Sequence, residues 1–144
     1  MPSPQPSAPA VAPTLDPAAP LIFIINAASG SSDGDAKRVV IEDALRAAGR
    51  QGDVRFVRPD ALAQEARAAA ATALATRSAV VAVGGDGTIT AVAQAAHAAG
   101  CAMGVVPLGT FNYVARTHGI PTEPAEAAQM LIHAVPVPVQ VGTV

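Results

Sequence analysis

The sequence predicts an α/β domain, a parallel sheet with helices on both faces. Short, almost wholly apolar runs such as LIFIIN at Leu21–Asn26 and AVVAV at 79–83 alternate with longer stretches of helical periodicity. Strand and helix in regular succession imply parallel pairing through right-handed crossovers. Loops rich in Gly, Ser, Thr and Asn follow the first, third and fourth predicted strands. All of these loops are expected along the carboxyl edge of the sheet, where such folds bind ligands.

The elements follow in order. Residues 1–20 are rich in Pro, Ala and Ser and lack the basic start and apolar stretch of a signal peptide. They are expected to be a disordered tail ahead of a domain over 21–144. Leu21–Asn26 reads as a buried strand, far short of the about 20 apolar residues needed to cross a bilayer. Residues 27–34 form a loop of small residues, and 35–48 read as a helix with Val40, Ala44, Leu45 and Ala48 on one face and Gly49 as its stop. A second strand covers 53–57. Asp60, just after Pro59, is expected to cap a long Ala-rich helix reaching about Arg77. The third strand, 79–83, leads into GGDGT and a helix over 89–99, which Thr88 is expected to cap and Gly100 to end. A fourth strand covers 102–106, followed by PLGT and helices over 111–118 and 123–133. Pro136 and Pro138 make 135–144 an edge strand or an exit segment.

Composition narrows the function classes. The length, 144 residues, suits one domain. Hydrophobic residues make up 51% but aromatics only 3%, so the core must be built from Val, Ile, Leu and close-packed Ala. The net charge is −2 and the arginines are scattered, which argues against a nucleic-acid partner. Cys101 is the only cysteine, which leaves no internal disulfide and no cysteine-based metal site. His97, His118 and His133 lack metal-ligand spacing and read as helix-surface or helix-end residues. A cytoplasmic protein is the default expectation.

The most informative segment is VAVGGDGT, residues 81–88. Gly84, Gly85 and Gly87 leave room for a ligand to approach the backbone closely. The free N–H groups of the following helix favour an anion. Asp86 stands there as the only acid between Glu65 and Glu123, which calls for a cation alongside the anion. Phosphate with Mg²⁺ meets both demands. The alternative is that Asp86 caps the turn through an Asx hydrogen bond. No G-x-x-x-x-G-K-[ST] is present, and a G-x-G-x-x-G reading from Gly85 fails at Thr90. In PLGTFNYVAR, residues 107–116, Gly109 permits close approach, Thr110 offers a cap or a phosphate contact, and Asn112 brings an amide into the helix start. An ordinary capped helix start explains Gly109 and Thr110 and leaves Asn112 without a role. Asn26, Ser29 and Gly30 are common turn residues on their own, and gain weight from sharing the rim.

Together NAASG at Asn26, GGDGT at Gly84 and PLGTFNYVAR at Pro107 resemble the catalytic domain of the diacylglycerol kinase and sphingosine kinase family, including its bacterial lipid kinase members. That family shows N-P-x-S-G, G-G-D-G-T and P-L-G-T-x-N-x-x-A-R after the corresponding strands, and the likeness covers 21–144. GGDGT alone is shared with nicotinamide-dinucleotide kinases and phosphofructokinases. Its pairing with G-T-x-N points to lipid kinases. The resemblance implies a Rossmann-like domain of the NAD kinase and diacylglycerol kinase type. ATP would lie over the GGDGT turn, with its phosphates on backbone N–H groups and on Thr88 and Thr110. Asn26, Ser29, Gly30, Gly84, Gly85, Gly87, Thr90, Gly109 and Asn112 would line the nucleotide site, and Asp86 would act on the Mg²⁺-bound phosphates as catalytic and metal residue. The acceptor would be a lipid hydroxyl presented from a membrane surface, which makes peripheral association with the membrane an expectation. Ala27 replaces the family proline, and Thr90 and Ala91 stand where many members carry Asn-Glu. The family's second, mostly β domain would start where this sequence stops at Val144, so a second domain or partner chain is expected to complete the cleft. A non-catalytic nucleotide-binding or regulatory module and a NAD kinase-like enzyme are the alternatives, and PLGTFN fits the latter poorly.

Overall fold

The computed structural model describes residues 15, 16, 18–26, 31–107, 120 and 126, of which 31–36 by backbone alone. One sheet of four parallel strands, β1 (Leu21–Asn26), β2 (Gly52–Val57), β3 (Ala79–Gly84) and β4 (Ala102–Pro107), runs in the order β2-β1-β3-β4. Helix α1 (Ser31–Ala48) joins β1 to β2. A 3-10 turn (Pro59–Ala61) and α2 (Leu62–Thr76) join β2 to β3, and α3 (Asp86–Ala99) joins β3 to β4. The step from β1 to β2 crosses the sheet in the opposite direction to the two later steps. Right-handed crossovers then put α1 on one face and α2 and α3 on the other. This is the predicted class.

The inner strands are covered on both sides, so they read as continuous apolar runs rather than alternating ones. On β1, Ile22 and Ile24 join the layer under α2 and α3, while Leu21, Phe23 and Ile25 pack with Ile41, Ala44 and Leu45 of α1. Val80 and Ala82 of β3 divide from Ala79, Val81 and Val83 in the same way. On α2, Ala66, Ala69, Ala70 and Ala73 are wholly buried, one helical face of nothing but methyl groups that packs beside α3. This is how a chain poor in aromatics closes its interior.

Several boundaries differ from expectation. α1 begins at Ser31 rather than at residue 35 and carries Gly34, a residue that costs a helix about 1 kcal/mol relative to Ala. The buried face lower down outweighs that cost, as packing generally does over propensity. Ile41 holds the place on that face expected for Val40, which is half-buried. Asp60 does not cap α2. It lies inside the 3-10 turn that Pro59 initiates, its carboxylate 3.4 Å from the Arg58 guanidinium, and the α2 N-cap is Ala61 with no side-chain bond. The helices expected at 111–118 and 123–133 and the segment 135–144 lie outside the described residues, apart from Glu126.

At the base of the sheet, Arg77 ends α2 in the left-handed conformation (φ 55°, ψ 44°), its N–H donating to the Ala73 and Leu74 carbonyls. That conformation costs a residue with a Cβ about 1–2 kcal/mol. Arg77→Gly is therefore expected to raise stability by about 0.5–1 kcal/mol, after the extra freedom glycine gives the unfolded chain. The measurement is the urea midpoint, and an unchanged or lower value would sink the prediction. Of the expected tail, Leu15, Asp16 and Ala18–Pro20 are described, and they meet this base. The Asp16 N–H donates to the Arg77 carbonyl (2.7 Å), and the buried Ser78 hydroxyl donates to the Pro20 carbonyl (2.6 Å).

Candidate functional site

Parallel pairing brings Asn26, Gly84 and Pro107 to one edge, each the last residue of its strand. Ile25 pairs with Val83, so Asn26 and Gly84 leave adjacent strands side by side. The chain departs from β1 toward β2 and from β3 toward β4, in opposite directions across the sheet. Diverging connections open a crevice at such a switch point, the habitual ligand site of open α/β sheets. GGDGT lies there.

α3 begins at Asp86, not at residue 89. Gly85 is its N-cap in extended conformation (φ −86°, ψ −174°) without a side-chain cap bond, and the Ile89 N–H closes the first turn on the Gly85 carbonyl at 3.0 Å. Thr88 is thus the third helical residue and not a cap. The motif looks like an extended turn in sequence because glycine disfavours helix interiors, yet Gly87 falls in the first turn. The N–H groups of Asp86, Gly87 and Thr88 have no acceptor within the helix, and they carry its positive end.

The glycines do different work. Gly84 has φ +157°, which L side chains rarely adopt, and a Cβ there would lie 3.0 Å from Thr88 Oγ1 and 3.1 Å from Thr88 Cβ, so a side chain between strand and helix would be strained and crowded. Gly85 takes a φ open to any residue. At Gly87 a Cβ would meet nothing within 4 Å, so the outer side of the first turn is open.

Thr88 is only 5% exposed, and its Oγ1 accepts a hydrogen bond from Asn26 Nδ2 at 3.5 Å. Thr90 is exposed and donates its hydroxyl to the Asp86 carbonyl at 2.8 Å. Asp86 is half-buried at the first helical position. Among the described residues no three His, Cys, Asp or Glu side chains cluster to hold a metal. A single carboxylate suits Mg²⁺ where phosphate oxygens supply further ligands, since Mg²⁺ is commonly held by one or two carboxylates together with phosphates. Ser29, Gly30, Gly109, Thr110 and Asn112 lie outside the described residues. The structure therefore brings together Asn26 and residues 84–88, with Thr90 one turn on. No local spacing signals the Asn26–Thr88 contact, which joins positions 62 apart.

The opposite edge is chemically plain. A mostly apolar cavity of about 180 Å³ there is lined by Leu15, Leu74, Arg77 and Cys101 among others, remote from the glycine turn. Burial pushes the Cys101 thiol above its ordinary range, so it stays a neutral, weakly reactive group just ahead of β4.

Residues 20–144 match the family model of the diacylglycerol kinase catalytic domain. A protein described as "Probable lipid kinase YegS-like" from Pseudomonas putida KT2440 is 39% identical over 112 residues, covering 74% of this chain and 38% of that protein. Its namesake from Pseudomonas aeruginosa UCBPP-PA14 is 43% identical over 104 residues, covering 70% of this chain and 33% of that protein. The chain thus spans a third or a little more of the length of these relatives. A crystal structure of a diacylglycerol kinase from Bacillus anthracis str. Sterne shares the fold, with a TM-score of 0.62 over 78% of this chain and 39% of that one at 23% identity. The glycine turn at the point where strand order reverses, and a family match that takes in every strand around it, place the chain in the diacylglycerol kinase catalytic domain family of lipid kinases.

Proposed function

We propose that this chain is the ATP-binding half of a lipid kinase that moves the γ-phosphoryl group of ATP to a lipid hydroxyl, releasing ADP. The observation that carries the reading is the open, glycine-lined start of α3 at the switch point between β1 and β3. Its N–H groups supply positive partial charge where phosphate oxygens would sit, and phosphoryl transfer needs positioning and charge neutralisation above all. Asn26 at the end of β1 fixes the neighbouring side of the crevice. Asp86 holds the Mg²⁺ that accompanies the phosphates, directly or through water. That cation neutralises charge on the transferring group. Ser29, Gly30, Thr90, Gly109, Thr110 and Asn112 complete the nucleotide site in this proposal.

Among the described residues no helix is long and apolar enough to cross a membrane. In this proposal the lipid is met at a membrane surface, with a second domain or partner chain closing the cleft over it. The test is calorimetry of Mg·ATP binding to the 144-residue chain beside Asp86→Ala. The variant is expected to bind about 10- to 100-fold more weakly, the scale of one lost charge-assisted contact. Equal binding by both would remove Asp86 from the metal role. Absence of binding by folded wild-type protein would overturn the nucleotide assignment. The chain alone is expected to leave lipid unphosphorylated, and robust lipid phosphorylation by it would show that no second part is needed.

A further inference from the structure

We propose that Thr88 is a positioning residue, which registers Asn26 against the glycine turn, and not a direct phosphate contact. The inference rests on the nucleotide reading of the same crevice. Thr88 is the third residue of α3, yet its side chain is turned away from solvent and is only 5% exposed. Its Oγ1 accepts the Asn26 amide at 3.5 Å, and that hydroxyl also stands where a Cβ on Gly84 would lie 3.0 Å away. One side chain therefore touches the last residue of β1 and the last residue of β3, the two strands between which the connections diverge.

Two things follow from that placement. The hydroxyl is one of the groups that hold the Asn26 amide at the end of a central strand, at the outer limit of hydrogen-bond distance. The γ-methyl and Cβ rest on Gly84, at 3.4 and 3.1 Å from where a Cβ would be, which fixes how the first turn of α3 sits on the strand that feeds it. The N–H groups of Asp86 and Gly87 are aimed by that seating. A hydroxyl this enclosed acts on a ligand through its neighbours. The exposed part of the first turn is at Gly87.

The test is a double-mutant cycle on the 144-residue chain, using Asn26→Ala, Thr88→Val and the double variant, with Thr88→Ser as rescue. Valine keeps the shape of threonine and loses the acceptor, while serine keeps the acceptor and loses the methyl. Mg·ATP affinity is expected to fall about 10-fold in each single variant and to fall no further in the double, because residues acting through one contact are not additive. Thr88→Ser is expected to stay within about 3-fold of wild type, since the hydrogen-bonding group survives. Additive losses of about 100-fold in the double variant would make Thr88 an independent contact and overturn the inference. So would Thr88→Val binding like wild type.

Urea unfolding of the same proteins without nucleotide gives a readout that needs no ligand. The midpoint shift of the double variant should be smaller than the sum of the single shifts. Additive shifts would overturn the contact itself whether or not nucleotide binds. Coupled shifts in a wild-type protein that does not bind Mg·ATP would overturn the nucleotide reading, and would reduce Thr88 to a brace of the fold.

Discussion

Gly87→Glu is expected to keep the fold, or strengthen it, while removing nucleotide binding. The second helical position of α3 is solvent-exposed, and a Cβ there meets nothing within 4 Å, so a longer side chain has room in the free protein. Replacing glycine in a helix with glutamate recovers about 0.5–1 kcal/mol of propensity. A carboxylate near a helix N-terminus adds about 0.3–1 kcal/mol through the dipole. Crowding beside Asp86 subtracts some of this, and a net gain of about 0.5–1 kcal/mol is expected. The same carboxylate occupies the space into which a phosphate would come and repels it. A loss of at least about 100-fold in Mg·ATP affinity, close to 2.8 kcal/mol, should follow. Calorimetry read beside urea unfolding separates the two effects. Lost binding in a destabilised protein would be uninformative about the site, which is why the opposite signs matter. Unchanged affinity in the stable variant would remove the outer side of the α3 first turn from the binding surface.

Phe23→Ala should have the largest effect on stability. Its ring is fully buried in the middle of β1, beside Val54 on β2 and Val81 on β3, under the layer formed by α1. Gly52 of β2 makes the room: a Cβ there would come within 3.1 Å of Phe23 Cε2. Truncation to alanine leaves a cavity between the strands and α1 that Ile41 and Leu45 can fill only in part. The cost expected for such a deletion is about 3–5 kcal/mol. Whole domains are stable by about 5–15 kcal/mol, so this one change removes a large share of the total. A urea titration would report it as a fall in midpoint with the slope unchanged. A loss under about 1 kcal/mol would mean that the ring is not a pillar of this layer.

The strands were legible because burial on both faces forces continuous apolar runs, and β1, β3 and β4 lie within one residue of where LIFIIN, AVVAV and AMGVV place them. The class followed from the regular alternation. Strand order did not, because a crossover of given length reaches the strand on either side, and it is the order that makes the GGDGT turn a switch-point loop. Helices begin ahead of their expected starts wherever glycine intervenes. Gly34 and Gly87 both lie inside helices whose remaining residues outweigh them. Asp60 and Thr88, both expected as caps, depart from that role for a shared reason. Each is a good cap by type, but Asp60 sits in a 3-10 turn set by Pro59, and Thr88 is drawn inward to Asn26. The candidate site was legible as a set of loops on one rim. What no local pattern carried was the contact that joins the first loop to the second.

The alanine face of α2 has a consequence for how this protein can change. Ala66, Ala69, Ala70 and Ala73 have no χ angle, so that layer cannot answer a new neighbour by switching rotamers, as leucine or isoleucine would. Nor does it lose side-chain freedom when it forms. Any enlargement must move a whole helix, at a typical cost of about 1–3 kcal/mol per intruding group. Variation along that helix face is thus confined to residues no larger than alanine or serine. The α1 side, built of Ile41, Leu45 and Phe23, can trade volume between partners. The buried face of α2 should therefore drift more slowly than the buried face of α1.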